Sequence, residues 1–329
     1  MKVKLEYSII LPHVILSGRV IILQKKEAIE YMKKFLIVVG ILVGLVAVGV
    51  GGYAYYLYDT AKDAVNGMHE KVETDKPKPI VTGEKKDLKP ISIMLLGVDE
   101  REGDRGRSDT MIVIAIDPKE EKMLMFNIPR DTRTEIIGKG YDDKINHAYA
   151  FGGTQMAMDT AENFLDTPID YYVKVNMESF RDIVNAVGGV EVDNPKAFDY
   201  EGYSFPAGKQ ELDGKAALAY SRMRYEDTKG DLGRNDRQRQ IITSIIDKGA
   251  SVSSITKFDN ILDILGENVK TNMTFEEMKD IQKNYKGARH NIASTEFKST
   301  GKMIDGTWYG IVDETEQERV QNLLKEYLN

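Results

Sequence analysis

The chain has 329 residues, a formal net charge of −7 and no cysteine. The acidic balance argues against a nucleic-acid partner, which calls for a basic face. The missing cysteines exclude a disulfide framework and a zinc–thiolate site. The length admits a membrane element plus one large domain or two small ones.

Residues 1–34 read as a cytoplasmic tail, of which 1–31 have the character of an over-extended start ahead of Met32-Lys33-Lys34. Phe35 to Leu57 is an uncharged run of 23 residues, and about 20 apolar residues span a bilayer. Lys33 and Lys34 precede it, and Tyr53, Tyr55 and Tyr56 lie at its far end. Positive charge stays inside and tyrosines favour the interface, so the run predicts a single-pass type II anchor of the cell membrane with the remainder outside. Residues 58–90 are charged and broken by Pro77, Pro79 and Gly83, which predicts an extracellular spacer.

The folded domain is expected over 91–329. Ile91 to Val98, Thr110 to Ile116 and Lys122 to Ile128 are continuous apolar runs, the pattern of strands covered on both faces. Further strands are predicted at Ile169 to Val175, Val190 to Val192, Asn291 to Phe297 and Trp308 to Val312. Helices are predicted at Asn146 to Leu165, Glu178 to Val187, Asp213 to Met223, Asp231 to Lys248, Phe258 to Leu265, Phe275 to Tyr285 and Glu314 to Leu328. Intermixed strands and helices predict a layered α/β domain.

Two segments concentrate charge. The loop between the first two strands carries Asp99, Arg101, Arg107 and Asp109. Its aspartates close the two strand ends and can approach each other. Two carboxylates, completed by water and substrate phosphates, are how Mg²⁺ is usually held. The alternative is a polar hairpin with local ion pairs. Later, Ser221 to Gln240 packs five arginines and two glutamines into twenty residues. Arg222 and Arg224 point the same way in an extended segment, while Arg234 and Gln238 share a helix face with Arg237 beside them. Converging guanidinium forks suit a pyrophosphate. The alternative is a solvated surface paired with Glu226, Asp227, Asp231 and Asp236. Arg130 leaves the third strand behind Pro129, which stiffens the exit. No Walker-type, GxSxG or HExxH motif is present, and the four histidines are scattered.

The segments LLGVDER, GRSDTMIV, NIPRDT, KINHAYAFGG, DYYVKVNMESFRDIVNAVGGVEV, LDGKAALAYSRMR and GRNDRQRQ occur in one order over most of residues 91–250. In this the chain resembles the LytR-CpsA-Psr proteins of Gram-positive bacteria. The resemblance implies an α-β-α sandwich with a mixed central sheet and an apolar lipid cavity, following one transmembrane helix. It implies a phosphotransferase that moves an anionic glycopolymer, such as wall teichoic acid, from a polyprenyl-pyrophosphate carrier onto a muramic acid hydroxyl of peptidoglycan. By motif, Asp99 and Asp109 would hold Mg²⁺ and, with Arg130, serve catalysis. Arg107, Arg130, Arg222, Arg224, Arg234 and Gln238 would hold the pyrophosphate. Arg101 matches the family's loop, and Asp131 would cap or orient Arg130. Competing readings are a polyprenyl-pyrophosphate hydrolase using the same residues, a membrane-bound regulator, and a passive lipid- or wall-binding module.

Overall fold

The structure is a computed structural model that describes residues 52–73 except 54, 57 and 61, then 78–100, 105–224, 230–250 and 269–329. The helix expected at Phe258 to Leu265 and nearly all of the apolar run 35–57 lie outside the described residues. The chain divides into two compact units, Met1–Asp59 and Thr60–Asn329. In the first, the described positions are helical. No helix among the described residues is long and apolar enough to cross a membrane.

The second unit begins with helical residues 62–68 (α1). Ile91–Val98 (β1), Ser108–Asp117 (β2) and Lys122–Asn127 (β3) follow as successive antiparallel neighbours, with Ile93 opposite Ile114 and Ile114 opposite Met125. A hairpin of Arg133–Ile136 (β4) and Tyr141–Lys144 (β5) leads into His147–Leu165 (α2). Tyr171–Asn176 (β6) lies parallel to β1 and passes into Met177–Ala186 (α3). Two small ribbons come next. Val190–Asn194 (β7) pairs with Gly208–Leu212 (β10), and Phe198–Tyr200 (β8) with Tyr203–Phe205 (β9). Gly214–Arg222 (α4) is capped by the Asp213 carboxylate, which accepts from the Ala216 N–H. The chain continues through Asp231–Ala250 (α5), Val269–Thr271 (β11) and Phe275–Asn284 (α6). It ends with Ile292–Glu296 (β12), the hairpin Thr300–Ile304 (β13) and Thr307–Ile311 (β14), and Glu314–Leu328 (α7).

Among the described residues the main sheet has six strands in the order β11-β6-β1-β2-β3-β12, antiparallel except at β1–β6 and β3–β12. Successive strand residues face opposite sides. Met94, Leu96, Met111, Val113 and Phe126 pack under α2 and α7, through Ala157, Phe164, Val320 and Leu324. Ile91, Ile93, Ile112, Ile114 and Met125 face the other way, toward Ile242 and Ile246 of α5 and Met278 and Ile281 of α6. Covering both faces makes the three runs continuously apolar, and the layering is the expected α-β-α sandwich.

The spacer expected at 58–90 is corrected. Val65 and Met68 pack with Ile183 and Val269, and Val81 and Leu88 enter the core beneath β1. His69 forms a bridge with Thr271, and the Glu70 N–H donates to the Thr271 carbonyl at 2.8 Å. Single apolar residues scattered among charges carry no periodicity, yet each fills a slot on the domain.

Candidate active site

A cavity of about 780 Å³ lies between the sheet and the α5–α6 layer. Its walls are Leu95, Ile114, Val173 and Val175 of the sheet, Phe180 and Ile183 of α3, Ile242, Ile245 and Ile246 of α5, and Ile281 of α6. Ile93 and Asp99 both line it, so it follows β1 for roughly 20 Å at a strand's rise per residue.

The end of the cavity at the top of β1 is polar, formed by Asp99, Asp109, Thr110, Arg130, Arg222, Arg224, Arg234 and Gln238. The β1–β2 register shifts between Gly97 and Val98, and such an irregularity re-aims the residues that follow. The Asp99 N–H donates to the Arg107 carbonyl at 3.2 Å, closing the loop's base. Gly106 makes that closure possible. Its φ is +66°, and a Cβ there would stand 2.0 Å from the Asp99 carbonyl oxygen.

Arg130 meets the acidic pair from β3. Its Nη1 donates to Asp109 Oδ1 at 3.0 Å, and its Nε lies 3.6 Å from Asp131, itself held by Lys144 at 2.7 Å. Burial works against the Arg130 charge, but Asp109 and then Asp131 outweigh it and raise the pKa. Arg222 ends α4, and Met223 turns extended at φ −56° and ψ 133°. Arg222 and Arg224 therefore both reach the cavity, while Met223 between them is buried. Arg224 pairs with Asp231 at 2.6 Å, and Arg234 lies 3.6 Å from the same carboxylate. Burial lowers the Arg234 pKa, with Arg130 and Arg224 adding to it against Asp231 and Asp109. The Nε atoms of Arg130 and Arg234 are buried without a hydrogen-bond partner. Crowded guanidinium groups with donors to spare are the electrostatics of an anion site.

Seven expected residues thus converge: Asp99, Asp109, Arg130, Arg222, Arg224, Arg234 and Gln238. The Gln238 amide is fixed at both ends, donating to Thr110 Oγ1 at 3.1 Å and accepting from Asn127 at 3.2 Å. Arg107 is exposed and does not line the cavity. Arg101 lies outside the described residues. Arg237 is corrected: it is buried, and its guanidinium donates to the Tyr220 and Met223 carbonyls and lies over the Phe198 and Tyr220 rings. Positions i+3 and i+4 fall on opposite sides of position i, so Gln238 follows Arg234 into the cavity and Arg237 turns away.

Three supporting residues escaped the sequence reading. Asn146, which read only as a helix entrance, donates to Asp109 Oδ1 at 3.4 Å. Asn127 links Gln238 to Arg239, whose buried guanidinium also holds Glu296 at 2.9 Å and pairs with Asp236. Arg239 lay within the arginine run, but nothing in its spacing distinguished it as a brace. The carboxylates of Asp99 and Asp109 offer the hard oxygen donors that Mg²⁺ takes. Among the described residues no group of three or more metal-ligating side chains forms.

A mixed sheet, covered by helices and flanked by an apolar cavity with clustered arginines at one end, defines a layered α/β domain. The chain belongs to the LytR_cpsA_psr family, whose profile matches residues 55–326. It is 52% identical over 305 residues to the polyisoprenyl-teichoic acid--peptidoglycan teichoic acid transferase TagU of Bacillus subtilis (strain 168), covering 92% of this chain and 99% of that protein. Its identity to the TagU of Halalkalibacterium halodurans is 48% over 309 residues, covering 90% and 99%. The crystal structure of B. subtilis TagU superposes with a TM-score of 0.61 at 51% identity, covering 73% of this chain and 97% of that one. A structure of TagT bound to LIIa-WTA gives 0.65 at 27% identity, covering 79% and 99%.

Proposed function

We propose that the protein transfers teichoic acid from a polyisoprenyl-linked donor to peptidoglycan. The observation that carries this reading is the junction of an apolar cavity with the arginine-lined site at its end. The Ile, Leu and Val walls take the polyisoprenyl chain, since each buried methylene is worth about 0.8 kcal/mol. Arg130, Arg222, Arg224 and Arg234 take the pyrophosphate oxygens, which gives an acceptor to the two Nε donors that lack a hydrogen bond.

The acceptor hydroxyl attacks the phosphorus that bears the polymer. A new P–O bond forms, the bond to the bridging oxygen breaks, and its electron pair stays on the lipid phosphate. The hydroxyl proton passes to a carboxylate of the Asp99–Asp109 pair. Phosphoryl transfer needs positioning and charge neutralisation more than covalent help, and the arginine forks supply both. Asp99 and Asp109 would hold Mg²⁺, which when bound neutralises charge developing on the phosphoryl oxygens.

In the same reading, 35–57 anchors the domain at the outer face of the cell membrane. The support is the length of the run, Lys33 and Lys34 before it and the tyrosines after it. The experiment is transfer in vitro, with purified protein, a polyisoprenyl-diphosphate teichoic acid donor, peptidoglycan and Mg²⁺. Polymer joined to peptidoglycan through a phosphodiester is the expected product. Release of free polymer with and without peptidoglycan would instead support the hydrolase.

A further inference from the structure

The first turn of α2 is set apart from the rest of that helix. Gly153 has φ 68° and ψ −155°, a conformation open to glycine alone. Ahead of this break, the segment is fastened at three points to Asp109 and to the connection between β1 and β2. Asn146 donates to Asp109 at 3.4 Å, the Tyr149 hydroxyl bonds Glu100 beside Asp99, and the Phe151 carbonyl accepts from Arg105 at 3.4 Å. Phe151 of this segment and Tyr141 of β5 set two aromatic rings in water. Tyr141 is 49% exposed and Phe151 37%. Their centroids are 6.4 Å apart in an edge-to-face arrangement, and the His147 ring stands 6.0 Å from Phe151. Lys139 Nζ lies 5.3 Å from the Phe151 centroid.

An exposed aromatic pair beside a reaction centre calls for an occupant. A protein partner fits poorly, because a stable interface buries about 800 Å² per side and an aromatic side chain contributes at most about 250 Å². A pyranose ring has the right size. Its face of C–H groups suits the negative face of a ring, and its polar substituents would meet Lys139, Arg105 and His147. The position favours the acceptor. The cavity runs along β1 and its arginine-lined end stands at the top of that strand. In an in-line displacement the attacking and leaving oxygens stand on opposite sides of phosphorus. The lipid phosphate departs down the cavity along β1, so the attacking hydroxyl arrives from beyond the top of that strand, where Asn146 holds the start of α2 against Asp109.

We propose that Tyr141 and Phe151 form an edge-to-face aromatic platform against which a sugar ring of the acceptor glycan strand packs. The proposal rests on the reading of peptidoglycan as acceptor. Two experiments test it with the full-length protein. In steady-state transfer, Tyr141→Ala, Phe151→Ala and their combination should raise KM for peptidoglycan fragments, by about tenfold in the double variant. The donor KM, the kcat at saturating acceptor and the Tm should hold, and Phe151→Tyr should behave as wild type. Separately, saturation-transfer NMR should detect a tetrasaccharide of alternating N-acetylglucosamine and N-acetylmuramic acid on the wild-type protein and not on the double variant, with no donor present. An unchanged acceptor KM, or a change falling on the donor KM instead, overturns the platform. Tetrasaccharide binding that depends on both rings, in a protein that transfers nothing, keeps the platform and overturns the transferase reading.

Discussion

Arg234 and Arg237 sit on one helix, three positions apart, and their guanidinium groups have opposite surroundings. Arg237 satisfies two backbone carbonyls between two aromatic rings. Arg237→Ala strands those acceptors in the core and should cost about 3 kcal/mol, read as a lowered Tm and denaturation midpoint. Arg234 is buried against its own charge preference, with Arg130 and Arg224 alongside. Arg234→Gln should leave the Tm unchanged or raise it, while transfer falls on the order of tenfold to a thousandfold, at about 1.4 kcal/mol per decade. Equal losses of Tm in the two variants would return Arg234 to a structural role. The arginine run was legible in the sequence as a cluster because spacing fixes which residues share a face. Which of the flanking positions faces inward depends on what packs there, and the rings of Phe198 and Tyr220 come from other parts of the chain.

Among the elements, α7 was read from its sequence with the bounds it has in the structure, because its apolar residues recur at helical spacing. The β4–β5 hairpin was not read at all. Its strands are four residues each, RTEI and YDDK, too short and too polar for a period to register. The hairpin reaches the site through Lys144 on Asp131 at 2.7 Å, and α7 carries a pH signature. Glu316 accepts from Arg319, and also from the Lys298 N–H at 2.9 Å. The Arg319 hydrogen bonds, opposed by burial, hold its pKa down to about 2 from an ordinary 4.5. A carboxylate lowered on folding contributes stability that is fully present above its unfolded value and lost as pH falls through the folded one. Between pH 4.5 and 2 the wild type should therefore lose Tm faster than Glu316→Gln. Parallel curves over that window would show that the anchor of α7 carries no linked proton.

For the whole molecule, the layered architecture was legible because three uninterrupted apolar runs of strand length fit a sheet covered on both sides. The lower boundary of the domain was not, since Val65, Met68, Val81 and Leu88 stand alone among charged neighbours. They hold the edge strand β11 and the start of β1 in place, helped by Lys78 on Glu277 at 3.0 Å and the Tyr285 hydroxyl on the Lys89 carbonyl at 2.6 Å. A chain begun at Ile91 should fail to give a cooperative unfolding transition, whereas one begun at residue 58 should unfold in a single step. A sharp transition from the shorter chain would restore 58–90 to the status of a spacer.

The cavity along β1 has a calorimetric consequence. Removing apolar surface from water lowers the heat capacity of the system, so a lipid that fills the cavity should bind with an enthalpy that grows more negative on warming. The temperature slope should steepen with each added isoprene unit in a series of polyisoprenyl phosphates. It should level off once the chain outgrows a run of roughly 20 Å. Inorganic pyrophosphate, which meets only the arginines, should show almost none of that slope. The length at which the slope saturates would make the sandwich a molecular ruler for its own substrate.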